Sequence, residues 1–233
     1  PTHPREATEA ERPMAALQTV LRRGAAGPGM LQRIELHSTP CVVLHPPGGF
    51  CDALIVPGNE TLVGTALPYF PVGGPVPAPP PPGLRNTVWG GMEAGEGLLY
   101  HTQVVDGAVH ESGGHDLALA IRREAPVLDP LDPKSRAPGR RCRVGGAVWT
   151  RAAGGLGHSF KGLVHTVPPF RSSGEWRALL AACYGRALDL AAARGARHAA
   201  APLLGAGARG AATAEAAEVA ASAVSRWRPS GGL

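Results

Sequence analysis

The chain has 233 residues, of which 44% are hydrophobic and 18% charged, a composition typical of one large globular domain that excludes wholesale disorder. It contains no uninterrupted run of about 20 apolar residues and no amino-terminal secretory signal, so we expect no membrane span and no membrane partner. The formal net charge is +5, but the basic residues are scattered arginines with only two lysines, which does not favour a nucleic-acid partner.

Four cysteines are spread along the chain without a C-x-x-C pair and without zinc-like spacing to the nine histidines. We therefore predict no metal site and no cofactor. Such cysteines are typical of reducing compartments, so we expect an intracellular protein, cytoplasmic or nuclear. We also expect a monomer. The chain begins at Pro1, which is also compatible with a targeting segment trimmed from its start.

The amino-terminal part of the chain predicts an arm followed by a domain. Residues 1–30 are polar and then alanine-rich, which indicates an arm with one short helix at 13–23, and residues 31–233 form the domain. Short apolar runs at 41–45 and 52–56 are bounded by proline or glycine, as strands buried on both faces are.

The middle of the chain loses its periodicity and then regains it. Residues 65–103 are rich in proline and glycine, which predicts a long insertion with polyproline character. A helix is predicted at 106–124, interrupted near Gly113 and Gly114, and a proline- and arginine-containing loop covers 126–141. Two further strands are predicted, at 146–150 and 161–167.

The last third of the chain predicts a strand between two helices. Ser172 and Glu175 have the spacing of a capping box before an amphipathic helix, which Gly195 ends. A strand is predicted at 198–204, and Thr213 is predicted to cap a final alanine-rich helix. Strands that alternate with helices indicate an α/β domain with a mostly parallel central sheet.

A glycine-rich loop follows the last predicted strand. Glycines let backbone N–H groups approach a phosphate closely, and a helix N-terminus beyond the loop favours an anion. Glycine is frequent throughout this chain, so a plain connector fits the same pattern equally well. The candidate phosphate-binding residues are Gly205, Ala206, Gly207, Ala208, Arg209 and Gly210.

Two other places carry polar side chains suited to a ligand. Asn59, after Gly58 at the end of the second strand, can bond a sugar hydroxyl, although Asn after Gly is also a common turn. Asp106 and His110 are four apart and share a helix face, where they can activate water or hold a hydroxyl. The simpler interpretation of that pair is a helix-start acid and a half-buried histidine.

Five segments, taken together, resemble the macrodomain family in its own motif order. The chain has DALIVPGN at 52–59, VDGAVHESGG at 105–114, CRVGGAVWT at 142–150, LVHTVPP at 163–169 and PLLGAGARG at 202–210. The family has DAIVNAAN, VDGAIHxAAG, CxxGxAxxT, VIHTVGP and PxISTGxYG. The resemblance is closest to the MacroD-type branch, which has VDGAIH.

The resemblance implies a three-layer α/β/α fold that binds ADP-ribose or an ADP-ribosylated protein. It implies that Asn59 contacts the distal ribose, that Asp106 positions or activates water, and that His110 assists one turn further on. Loop 205–210 matches the diphosphate-binding loop. Gly58, Gly107 and Ala108 lie within the matching motifs and are expected to contact the ligand.

The chain also departs from the family pattern. His45 stands where the family has an Asp that holds the adenine amine, and Val56 replaces the first Asn of the family's strand motif. The glycine block before the VDG motif is broken after Gly64 by the insertion. Arg209 replaces an aromatic residue beside the distal ribose and adds a positive charge.

The resulting hypothesis is a macrodomain that binds ADP-ribose and hydrolyses an ester at its distal ribose, on a mono-ADP-ribosyl protein or on O-acetyl-ADP-ribose. Asn59, Asp106 and His110 are the candidate catalytic residues. A non-catalytic ADP-ribose reader is the alternative, favoured by the broken glycine block. A basic nucleic-acid-binding domain is a third, weaker interpretation.

Overall fold

The computed structural model of the protein describes residues 19–22, 33–64, 104–128 and 139–228. Strands and helices alternate within them as the sequence indicates. The strands are β1 (Thr19–Arg22), β2 (Arg33–Leu36), β3 (Cys51–Pro57), β4 (Ala147–Arg151), β5 (Phe160–Thr166) and β6 (Ala199–Ala200). The helices are α1 (Val105–Glu124), α2 (Trp176–Ala193) and α3 (Thr213–Arg226).

A four-stranded mixed sheet lies at the centre, in the order β4-β5-β3-β6. Strand β3 is parallel to both of its neighbours, whereas β4 runs antiparallel to β5 at the edge. The inner residues of β3, from Ala53 to Val56, are at most 1% exposed. Burial on both faces explains why this strand reads as a continuous apolar run, as predicted.

Two hydrophobic cores cover the two faces of the sheet. Leu54 and Val56 pack on the side of α1, whereas Ala53 and Ile55 pack on the side of α2 and α3. This alternation follows from the period of two along a strand. The result is the three-layer α/β/α arrangement with a mostly parallel sheet that the sequence predicts.

Two glycines that interrupt or end helices are also where the sequence predicts them. Gly114 has φ 51° and ψ −143° within α1, which interrupts the helix at the expected place. Helix α2 ends at Ala193, and Gly195 has φ 74°, the left-handed conformation that ends many helices.

Two predictions in the amino-terminal part are wrong. Residues 19–22, predicted to be helical, form β1, which pairs antiparallel with β2. Residues 41–45, predicted to be a strand, form a turn in which the His45 N–H donates to the Cys41 carbonyl at 2.8 Å. Val43 is buried there, but Leu44 is 61% exposed, so this apolar run is not covered on both faces.

The predicted caps of α2 and α3 do not form. Helix α2 begins at Trp176 after Glu175, and no side chain of the described residues caps it, because the chain makes a tight turn over 170–176 instead. Thr213 is the first residue of α3 rather than its cap. Strand β6 is shorter than predicted, since Pro202 has no N–H to continue a ladder.

Several predictions lie outside the described residues. They are the insertion at 65–103, the centre of the loop at 126–141 and the arm apart from 19–22. The domain boundary near residue 31 stays a prediction. Within the part of the chain that the structure describes, no helix is long and apolar enough to cross a bilayer.

Candidate functional site

Asn59 lies in a tight turn at the carboxyl end of β3. The Gly58 N–H donates to the Thr166 carbonyl at 2.8 Å, which joins this turn to the end of β5. The Asn59 side chain is 6% exposed. Its Oδ1 accepts from the Thr61 N–H (3.1 Å) and from the Thr61 hydroxyl (2.7 Å), and its Nδ2 donates to the Gly64 carbonyl (3.2 Å). The amide is therefore held rigidly by its own turn.

Gly64 ends this turn in close contact with His110. Its φ is +84°, and a Cβ at this position would lie 2.6 Å from His110 Cγ. Both facts require glycine here. The first glycine of the broken glycine block is thus retained, and it leaves room for the His110 imidazole, which the sequence predicts to be in the site.

Asp106 and His110 share one face of the first turns of α1, as predicted. Asp106 is 6% exposed, and its Oδ1 lies 3.8 Å from His110 Nε2, which is too long for a hydrogen bond. The same Oδ1 would lie 3.5 Å from a Cβ on Gly58, so the carboxylate faces the end of β3. Gly107 and Ala108 are buried beside it in the first helical turn.

Loop 205–210 folds back on itself after β6. Gly205, Gly207 and Gly210 all have positive φ, between 74° and 84°. The Ala211 N–H donates to the Gly205 carbonyl (3.2 Å), and the Gly210 N–H donates to the Gly207 carbonyl (2.8 Å). The three glycines make this closed turn possible, with Gly207 exposed and Ala206 and Ala208 half-buried beside it.

Arg209 connects that loop to the turn at the end of β3. Its Nη2 donates to the Gly58 carbonyl at 2.8 Å, and its guanidinium lies 4.3 Å from the centre of the Phe170 ring. Burial lowers the pKa of Arg209, whereas the Asp106 carboxylate raises it. The group nevertheless stays charged, because guanidinium is not deprotonated in proteins.

Contacts of Arg171 and Arg177, called the brace below, hold loop 205–210 against α2 and α3, and the sequence did not predict them. The Arg171 N–H donates to the Arg209 carbonyl at 2.7 Å. The Arg171 guanidinium makes two hydrogen bonds to Glu215, at 3.0 and 3.1 Å, and stacks on Trp176. Arg177 contacts the same ring and the same carboxylate. The signal in the sequence is Glu215, an acid in the first turn of α3, for which the sequence analysis assigned no role.

Two other polar residues of the matching motifs lie outside the candidate site. Asp52, at the start of β3, pairs with Lys161 and accepts from the N–H groups of Arg197 (2.9 Å) and His198 (3.0 Å). These partners, Lys161 above all, lower the pKa of Asp52 to about 2. His165 is fully buried in β5, with Nε2 2.9 Å from the Thr150 hydroxyl, and burial lowers its pKa to about 3.

The structure thus brings Gly58, Asn59, Asp106, His110 and Arg209 to one edge of the sheet, where the ends of β3 and β5 meet the start of α1. This is the edge at which α/β sheets bind ligands. His45 lies exposed in the turn that replaces the predicted strand 41–45. Among the described residues, no group of three or more His, Cys, Asp and Glu side chains is arranged to hold a metal ion.

Comparisons with known proteins agree with this architecture. The chain is 35% identical over 125 residues to a macro domain-containing protein of Listeria monocytogenes, covering 53% of this chain and 63% of that protein. It is 39% identical over 104 residues to one of Streptomyces griseus, covering 44% and 52%. The chain thus spans less than two thirds of the length of these curated relatives.

Solved structures show the same fold. The Oceanobacillus iheyensis macrodomain with ADP matches with a TM-score of 0.55 at 18% identity, over 89% of this chain and 80% of that one. A point mutant of that macrodomain gives a TM-score of 0.56 at 18% identity, over 91% and 80%. The family model described as Macro domain matches residues 93–220, more than half of the chain. The chain therefore belongs to the macro domain family.

Proposed function

We propose that this chain binds ADP-ribose and hydrolyses an ester at the distal ribose, as a member of the MacroD-type branch. The observation that carries the proposal is the buried Asp106 carboxylate at the start of α1, 3.8 Å from His110 and facing the end of β3. A solved macrodomain with the same fold holds ADP, which supports a ligand that contains a nucleoside diphosphate.

Each group has a role in this proposal. Loop 205–210 and the N-terminus of α1 hold the diphosphate, since backbone N–H groups and a helix N-terminus favour an anion. The Asn59 turn fixes the distal ribose beside them. Holding the ester in one place converts an encounter in solution into an oriented reaction, which supplies much of the rate.

Asp106 would act on the attacking water. The carboxylate orients the water and takes its proton while the water oxygen bonds to the acyl carbon. The ester C–O bond then breaks, the ribose oxygen takes up a proton, and the products are ADP-ribose and a free carboxylic acid. His110 lies one turn further along α1, where it can hold the carboxylate or the leaving oxygen.

A non-catalytic reader is the second candidate, and two observations favour it. The Asn59 amide is bonded to Thr61 and Gly64, and the Asp106–His110 separation is too long for a hydrogen bond. The site can therefore hold a ribose in a fixed place without a base aligned by that histidine.

The proposal also includes an intracellular location, in keeping with the four free cysteines. A monomeric state is part of the same proposal.

The experiment that separates the two is Asp106→Asn, assayed by release of ADP-ribose from a glutamate-modified protein. This change keeps the size of the side chain and removes its basicity, so turnover should fall about 10²–10⁴-fold. Affinity for ADP-ribose should hold or improve, because a negative charge leaves the neighbourhood of an anionic ligand.

Asp116→Asn is the matched control, since Asp116 is an exposed carboxylate on the same helix. It should leave both turnover and affinity unchanged. Equal turnover of Asp106→Asn and the wild type would remove Asp106 from the mechanism. No turnover by the wild type, with ADP-ribose binding intact, would favour the reader.

A further inference from the structure

Arg209 stands where the matching motif has an aromatic residue, and its position gives the cleft a fixed positive charge. Two contacts on different sides hold the guanidinium: the Gly58 carbonyl at 2.8 Å and the Phe170 ring at 4.3 Å. A guanidinium held in this way is pre-organised, because its planar fork has little freedom left to lose when a ligand arrives.

Asp106 and Arg209 both lie close to Gly58. Asp106 Oδ1 would be 3.5 Å from a Cβ on Gly58, and Arg209 Nη2 donates to the Gly58 carbonyl at 2.8 Å. Burial lowers the pKa of Arg209, and among its charged neighbours the Asp106 carboxylate opposes this most. Glu60 acts on Arg209 more weakly and has Arg140 as a partner at 3.6 Å. Arg209 and Asp106 are therefore opposite charges that lie close to the same residue, Gly58.

The Arg209 charge offsets an electrostatic repulsion between the Asp106 carboxylate and an anionic ligand. A buried carboxylate beside a diphosphate repels it, and the repulsion is stronger in a partly desolvated cleft than in water. An aromatic residue at position 209 would bring no charge against that repulsion, whereas a guanidinium opposes it at short range.

We propose that Arg209 is an internal counterion of Asp106, and that its charge lets the cleft accept an anionic ligand next to that carboxylate. Arg209 is in this account a positioning residue that acts through Asp106. The part that concerns the ligand rests on the proposed function, whereas the coupling between the two side chains does not.

The test is a double-mutant cycle of Arg209→Gln and Asp106→Asn with two readouts. The first is urea unfolding without ligand. If the two charges are coupled, the double variant should be more stable than the sum of the single changes predicts, by a factor of about 5 or more in the unfolding equilibrium constant. If the two single changes have additive effects on the free energy of unfolding, Arg209 is not a counterion of Asp106.

The second readout is calorimetry with ADP-ribose. Arg209→Gln should weaken binding about 10-fold, and adding Asp106→Asn should return the affinity to within about 3-fold of the wild type. A merely structural role of Arg209 would not be rescued by removing a second charge. Equal weakening in the single and double variants would overturn the proposal.

Two further variants serve as controls. Arg209→Lys keeps the charge and should retain most of the affinity, which also covers the case in which Arg209→Gln folds poorly. Arg194→Gln removes the same charge from an arginine stacked on Trp149 at 5.6 Å outside the cleft, and should leave binding unchanged. If the wild type gives no heat with ADP-ribose, the proposed function fails, while the unfolding cycle still decides whether Arg209 and Asp106 are coupled.

Discussion

The two ends of β3 carry polar residues of the same sequence motif, but the structure gives them different surroundings. At the start, Asp52 has a lysine and two backbone N–H groups as partners. At the end, the Gly58–Asn59 turn meets Asp106 and Arg209, and the Asp106–His110 pair stays 3.8 Å apart. An acid bonded to a lysine and two backbone N–H groups holds the sheet together, whereas a buried acid at the carboxyl edge of the strands is suited to a ligand.

The first prediction uses His165 of β5, which pairs with Val56 of β3 and has the Thr150 hydroxyl as a partner. Burial and, to a lesser degree, the electrostatic effect of His110 hold the pKa of His165 at about 3, well below the unfolded value of about 6.5. The folded state therefore binds fewer protons than the unfolded state below pH 6.5, and stability falls as the pH falls. Between pH 7 and 5 the free energy of unfolding should drop by about 1–2 kcal/mol.

Urea unfolding of His165→Gln checks this, because glutamine keeps a polar partner for Thr150 but cannot titrate. The pH dependence over this window should flatten in the variant and persist in His198→Gln, whose side chain is 80% exposed. A wild-type slope that survives in His165→Gln would show that the buried imidazole is not its source.

The second prediction concerns the starting end of β3. Asp52→Asn removes the ion pair with Lys161 and weakens two charge-assisted hydrogen bonds from the N–H groups just before β6. Because Lys161 is exposed, its ion pair contributes little, and the free energy of unfolding should fall by about 1–2 kcal/mol. The contribution of Asp52 is full above about pH 4 and is lost as the pH falls towards 2. ADP-ribose affinity should not change.

Denaturant unfolding and calorimetry on the same preparation measure both quantities. A loss of affinity with Asp52→Asn would contradict this expectation, because it would make both ends of β3 part of the site. Glu218→Gln is a suitable control, since that carboxylate is 71% exposed and pairs only loosely with Arg177.

The third and smallest prediction concerns the brace of loop 205–210. Arg171→Ala removes an exposed pair with Glu215, so stability should change by less than about 1 kcal/mol. Alanine keeps the backbone N–H that donates to the Arg209 carbonyl, but the residue loses its side-chain contacts with Glu215 and Trp176, which fix that N–H in place. ADP-ribose affinity should therefore fall about 3-fold, because the loop is held less precisely. Thermal unfolding and calorimetry check the two effects.

Arg177→Ala is the matched control for the brace. Arg177 contacts the same ring and carboxylate, but it is Arg171 whose backbone bonds to the loop. If both variants weaken binding equally, the effect comes from charge on this surface rather than from the loop.

Most of the fold could be predicted from the sequence, since strand β3, the kink in α1 and the end of α2 each follow from an apolar run or a glycine. The region 41–45 could not, because Val43 is the only fully buried residue of its apolar run, and burial on one side depends on the whole fold. The caps at Ser172 and Thr213 failed because the preceding turns take a different path.

The candidate site was predictable in its residue types but not in its bonding. Asp106 and His110 could be placed on one face from their spacing, because a helix fixes that geometry. The bonds of Asn59 to Thr61 and Gly64 depend on the path of a turn, and the bond of Arg209 to Gly58 joins separate segments. No spacing in the sequence determines them.

We propose that the edge of the sheet at Gly58, Asp106 and Arg209 binds ADP-ribose. Titration calorimetry of the wild type with ADP-ribose, and in parallel with AMP, is the decisive measurement. We expect saturable 1:1 binding of ADP-ribose that AMP does not reproduce, since most contacts are assigned to the diphosphate and the distal ribose. No heat at millimolar ADP-ribose, or equal binding of AMP, would contradict it.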